Sequence, residues 1–211
     1  MLACLLLFSI VPVFAGCSSD QNEVPVLHTD LDYENLNTEV KQLTLSAFQK
    51  PEDHSLTQEE EQNLKKARVK VQGLIAYKPD LYSNYFIAAK AAYLVGDYTT
   101  AIQYVQQCVG IGFPSGTSPT FYEETVAEAK YIESRSWFNL HEYQRAADAA
   151  AIAARIEPKS VLYRLAEARA EFQMGHDKTT AGLLQDTLKL DPRNTEAQKL
   201  MDLLKRNPSK R

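Results

Sequence analysis

Two prolines, Pro158 and Pro192, stand 34 residues apart, and each directly follows an acidic residue: Ile156-Glu157-Pro158 in one place, Leu190-Asp191-Pro192 in the other. Pro79, after Tyr77-Lys78, occupies a similar place upstream, and one further period from it falls beside Pro114. A proline cannot donate to a helical ladder, so this spacing divides the chain into units of helix and turn. The remaining composition permits such units. Eight glycines and nine prolines are few for 211 residues, and five of them are crowded between Gly110 and Pro119. With 45% hydrophobic and 24% charged residues the chain can build a packed core, which excludes a disordered polymer. The sequence has no uninterrupted apolar run of the roughly 18 residues a membrane span needs. A net charge of −4 argues against nucleic acid as a partner.

Details within the period sharpen it. With Tyr82, Ala127 and Val161 as unit starts, the eighth positions are Ala89, Ser134 and Ala168, small enough for two helices to pack closely. Val95-Gly96-Asp97-Tyr98, Leu140-His141-Glu142-Tyr143 and Met174-Gly175-His176-Asp177 fall between the helices of successive units. Ala101, Ala146 and Thr180 follow, then Cys108, Ala153 and Thr187. This pattern resembles the tetratricopeptide repeat, from about Gln58 to Asn207. The resemblance implies an all-α fold, a right-handed α-solenoid of helix-turn-helix repeats with a C-terminal capping helix.

Units are expected at about 82–115, 127–160 and 161–194, with a capping helix at 195–207, in a repeat domain spanning 81–207. Upstream, 33–80 reads as a degenerate helical pair, Leu36 to Phe48 and Gln58 to Tyr77, joined by a charged loop from Lys50 to Thr57. The first two units start 45 residues apart, eleven more than the period. The surplus, Gly110 to Pro119 and its neighbours, is expected to form an exposed loop. Such a loop is either a tolerated insertion or, with Ile111 and Phe113 in it, part of a binding face.

The N-terminus, Met1 to Gly16, carries no charge and turns polar from Ser18. It reads as a secretory signal over 1–16, and Phe14-Ala15-Gly16-Cys17 resembles the lipobox of bacterial lipoproteins. That resemblance implies lipidation of Cys17, a flexible tether over 17–32 and, with Ser18 following, the outer membrane facing the periplasm. Phe14 in place of leucine and the missing basic residue before the apolar core depart from the pattern, and an ordinary secretion signal is the alternative. Of three cysteines, Cys4 would leave with the signal and Cys17 would be capped, leaving Cys108 as a small hydrophobe between helices.

No phosphate loop, nucleophile elbow or paired metal-binding histidines occur, and His28, His54, His141 and His176 are scattered. Neither an enzyme nor a cofactor or metal is expected. A recognition surface is the better reading. In this family the first helix of each unit lines a concave groove, which here implies Phe86, Tyr131 and Leu165 in one row, Lys90, Arg135 and Arg169 in a second, and Tyr93, Phe138 and Phe172 in a third. Three cations between aromatic walls suit a protein or peptide partner carrying acidic or carboxylate groups. Alternatively Glu128, Glu133 and Glu167 neutralise the row as an internal charge network. The expected function is a non-enzymatic adaptor at the bacterial envelope, membrane-anchored by lipid. The other two readings are an accessory factor or enzyme-associated binding protein taking a small ligand or glycan at the 110–119 loop, and a cytoplasmic co-chaperone-like adaptor.

Overall fold

The computed structural model describes residues 23–49, 55–112 and 118–206. The leader, Cys17, Phe113 and residues 50–54 lie outside the described residues. Among the described residues every regular element is a helix: α1 Asp30–Phe48, α2 Gln58–Tyr77, α3 Tyr82–Leu94, α4 Tyr98–Gly110, α5 Pro119–Asn139, α6 Tyr143–Ile156, α7 Val161–Gln173, α8 Asp177–Leu190 and α9 Thr195–Arg206. None is long and apolar enough to cross a membrane.

Local chemistry sets several boundaries. Thr29 Oγ1 accepts from the Asp32 amide at 3.1 Å, and Asp32 Oδ2 accepts from the Thr29 amide at 3.0 Å. This capping box starts α1 at Asp30, inside the stretch expected as tether and six residues before Leu36. Thr57 and Glu60 form the same box at α2, and Ser46 Oγ donates to the other Glu60 oxygen at 2.6 Å, tying α1 to α2. The turns α3–α4, α5–α6 and α7–α8 share one geometry. The Asp97, Glu142 and His176 amides each reach back to the carbonyls of Ala92, Trp137 and Glu171, at 2.9, 3.0 and 3.1 Å. The residue before each has positive φ: Gly96 at 81°, His141 at 62° and Gly175 at 76°. These are Schellman closures, which satisfy the last carbonyls of each first helix.

Each helix packs on its neighbours in sequence, and α1–α3, α3–α5 and α5–α7 touch as well. Odd-numbered helices therefore lie side by side along the inner face, and even-numbered helices form the outer layer. The small residues of the repeat sit at the contact between the layers. Ala89, Ser134, Ala168, Ala101, Ala146, Thr180, Cys108, Ala153 and Thr187 are all 0 or 1% exposed. Interiors are close-packed, so larger groups there would hold the helices apart. At the N-terminal end, Asn84 is buried and joins three elements. It accepts from Tyr33 Oη at 2.9 Å, and its amide donates to the carbonyls of Leu74 and Lys78 at 3.1 and 3.2 Å.

The eleven surplus residues are not all loop. Gly110 closes α4, and Pro119 occupies the first turn of α5, where its missing N–H costs nothing. The first helix of that unit thus begins eight residues before Ala127, adding about two turns to α5.

Candidate functional site

Lys90, Arg135 and Arg169 project from α3, α5 and α7, the helices of the inner face. Lys90 Nζ lies 2.6 Å from Glu128 Oε1 on α5 and 4.9 Å from the Phe48 ring centroid. Arg169 grips Glu196 of α9 with two parallel hydrogen bonds, from Nε to Oε1 and from Nη2 to Oε2. Glu128 and Glu196 occupy matching places, each the second residue of its unit's or cap's start. Their separations from the cation, 38 and 27 residues, differ by the eleven-residue insertion. The internal charge network weighed from sequence thus exists, with Glu128 as one expected member and Glu196 as an unexpected one. Glu133 instead pairs with Lys130 at 2.7 Å. Burial pushes the Glu167 carboxyl above its ordinary value, with the Glu171 charge adding to it and Arg164 opposing.

The structure brings four of the expected groove residues together. Arg135, Phe138, Arg169 and Phe172 line one cavity of about 300 Å³ between α5, α7 and α9. Phe86 belongs to a different and larger hollow. Tyr93 packs against Tyr98 at a centroid distance of 5.9 Å, in the hairpin of its own unit. Tyr131 and Leu165 depart from the expectation: they are 4 and 5% exposed and face the core rather than the groove. Tyr131 packs against Tyr163 of α7 with the rings tilted at 42° and centroids 5.2 Å apart, and Leu165 packs with Leu184 and Ala197. Close approach of successive first helices turns these positions into seams between units.

The larger hollow measures about 1190 Å³ and lies where α1, α3, α5 and the α6–α7 turn converge. The two added turns of α5 form one wall of it, contributing Phe121, Glu123 and Glu124. Phe86 and Ile87 of α3 supply apolar floor, and Glu157 with Lys159 stands at the turn. Burial raises the Glu157 carboxyl above its usual range, and the charges of Glu124 and Glu128 raise it further. Sequence reasoning passed over this wall because it counted Gly110 to Pro119 and its neighbours as loop. The Ser118-Pro119 step, a polar residue before a first-turn proline, was the available signal. Among the described residues no group of three or more His, Cys, Asp or Glu side chains is placed to hold a metal ion.

No protein-family model matches the chain, and no curated protein matches it by sequence. Solved structures do match its fold. The MamA RS-1 ArsTM double mutant superposes with a TM-score of 0.67 at 10% identity, covering 84% of this chain and 85% of that one. MamA residues 41 to the end, from Desulfovibrio magneticus RS-1, gives 0.64 at 12% identity, covering 84% and 86%. A chain of the APC/C hetero-tetramer Cut9–Hcn1 gives 0.62 at 17% identity, covering 82% of this chain and 29% of that one. These are tetratricopeptide-repeat structures, and the all-α repeat solenoid expected from the sequence is the fold of this chain.

Proposed function

We propose that this chain is a non-enzymatic adaptor that holds a protein or peptide partner along its inner face. The observation that carries the reading is the hollow of about 1190 Å³ on that face, walled by α1, α3 and the lengthened α5. It exceeds the roughly 300–1,000 Å³ of small-molecule sites, which suits a chain segment. The comparison with a chain of the Cut9–Hcn1 hetero-tetramer, an assembly of several subunits, supports the same direction. An acidic partner would meet Lys90 and Arg169 already held by Glu128 and Glu196, so its carboxylates would have to displace internal ones.

The location belongs to the same proposal. Cys17 is lipidated after removal of residues 1–16 and fixes the chain to the bacterial outer membrane on the periplasmic side, with the inner face free for a partner. Two measurements test the pair of claims separately. A photo-crosslinking residue at Ser83, in the hollow, should trap a protein in intact cells, whereas one at the exposed Gln107 of α4 should not. Equal trapping at both positions would sink the groove reading. Cys17→Ser should abolish incorporation of labelled palmitate; unchanged incorporation, or a mature protein starting at Met1, would sink the anchor.

A further inference from the structure

The charges around the larger hollow are unequal. Glu123, Glu124, Glu128 and Glu157 line it against Lys41 and Lys159. Glu128 is already committed to Lys90. No ion pair forms at Glu123, Glu124 or Glu157 among the described residues, whereas Glu128 and Glu196 are matched to Lys90 and Arg169. Two of the three sit on the added turns of α5, so the segment that lengthens the unit also delivers the unmatched charge.

The backbone adds to this. Glu157 is the C-cap of α6, so the negative end of that helix meets the hollow. A carboxylate at a helix C-terminus is placed against the macrodipole rather than with it. Arg164, on the first turn of α7, donates instead to the Pro158 carbonyl at 2.9 and 3.1 Å. Burial and the neighbouring glutamates hold the Glu157 carboxyl high, the mark of a site short of positive charge. Beside these acids stand apolar surfaces. Phe121, 58% exposed, lines the hollow on the added wall, together with Phe86, Ile87 and Tyr163. A large exposed aromatic beside unmatched carboxylates is the complement of a segment mixing basic and apolar side chains.

We propose that the hollow between α1, α3, α5 and the α6–α7 turn docks a partner segment carrying lysine or arginine side chains interleaved with apolar ones. The proposal rests on the adaptor reading and reverses the partner charge expected from sequence. Basic side chains meet Glu123, Glu124 and Glu157, and apolar ones cover Phe121 and Phe86.

The test uses the chain from Ser18 onward and two fluorescein-labelled twelve-residue peptides, one with four lysines among leucines and serines, one with glutamates replacing the lysines. The lysine peptide should bind, and more weakly with added salt. The triple variant Glu123→Gln, Glu124→Gln, Glu157→Gln should weaken it about ten-fold, from three partly exposed charges of modest worth each. Phe121→Ala should weaken it with less change in salt dependence. Glu142→Gln with Asp148→Gln, away from the hollow, should leave it unchanged, and helical circular dichroism should be the same for every variant. Binding that is indifferent to the triple variant, or absent, overturns the proposal. A glutamate peptide that binds and is lost on Arg135→Glu also overturns it while sparing the adaptor reading. If neither peptide binds and Ser83 crosslinks nothing in cells, the adaptor reading falls with it. Crosslinking of Phe121 to a second copy of the chain would assign the hollow to self-association instead.

Discussion

Lys90 on α3 and Glu128 on α5 close to 2.6 Å across the seam between two units, with both side chains partly exposed. Arg169 and Glu196 repeat the relationship across the seam between the last unit and the cap. A pair in this setting contributes modestly, because solvent screens it. Reversing either member alone should lower stability by about 1 kcal/mol, and Lys90→Glu with Glu128→Lys should recover most of the loss. The coupling in a urea double-mutant cycle should fall near 0.5–1 kcal/mol. Zero coupling would mean that the contact merely coexists with the packing of α3 on α5.

The three matching turns make a prediction about backbone conformation. His141 takes a φ of 62°, where the equivalent residues are Gly96 and Gly175. An L side chain in that region costs roughly 1–2 kcal/mol, partly offset by the greater unfolded-state freedom of glycine. The His141 ring also gives up a 2.9 Å contact with Tyr143 Oη when removed, but that pair is exposed. His141→Gly should therefore raise stability by up to about 1 kcal/mol, while Gly96→Ala should lower it by about 1 kcal/mol. No Cβ contact would arise at Gly96 within 4 Å, so its loss would report conformation alone. The readout is the urea midpoint of each variant at constant slope.

What the sequence made legible follows from period and size. Small residues at fixed places in each unit identified the layer contacts, because close packing admits nothing else at Ala89, Ser134 or Ala168. The acids able to neutralise the cation row were legible only in part. Glu128 lies in the next unit, but Glu196 lies in the cap, and a search confined to neighbouring glutamates missed it. Tyr131 and Leu165 failed as groove residues for a different reason. Their register is right, but side-chain exposure depends on how closely successive first helices approach, and Tyr163 covers the first of them. The start of α5 was hidden by the breaker cluster, since a proline reads as a helix stop unless its place in the first turn is recognised.

Asn84 provides a third prediction. Fully buried, it accepts from the Tyr33 hydroxyl and gives a second hydrogen bond to the carbonyls of Leu74 and Lys78, which also accept from the Lys78 and Leu81 amides. Asn84→Ala would strand the Tyr33 hydroxyl and remove one bond from each carbonyl, and should cost about 2–3 kcal/mol, whereas Tyr33→Phe, which removes one partner, should cost about 1 kcal/mol. Hydrogen exchange should show the loss concentrated in α1 and α2, with α6 to α8 still protected. Uniform loss across the chain would contradict the nearest-neighbour character of the solenoid.

Cys108 should be chemically silent. It is completely buried, and burial pushes its thiol up to about 12. Only about one part in ten thousand is then thiolate at pH 8, against roughly a quarter for an exposed thiol. A thiol reagent should leave native protein from Ser18 onward unlabelled over an hour and label it once in urea. Cys108→Ala should be tolerated with a loss of about 1 kcal/mol, because the site already selects for small groups. Rapid native labelling would mean that α4 opens locally from its packing.

Two glutamates set an acid-side prediction. Burial, then Glu124 and Glu128, raise the Glu157 carboxyl; burial, then Glu171, raise Glu167, with Arg164 opposing. A carboxyl whose folded value exceeds its unfolded one is destabilising while ionised, and the penalty fades as pH falls through the raised value toward about 4.5. Asp97 works the other way. Burial pushes it up, but hydrogen bonds from Thr100 and Arg68 outweigh this and hold it low, so its contribution is lost only at still more acid pH. Glu157→Gln and Glu167→Gln should therefore stabilise the protein at pH 7.5 and become neutral near pH 4.5, as read from urea midpoints at each pH. An equal gain at both values would assign the effect to packing of the amide rather than to the charge of the carboxylates.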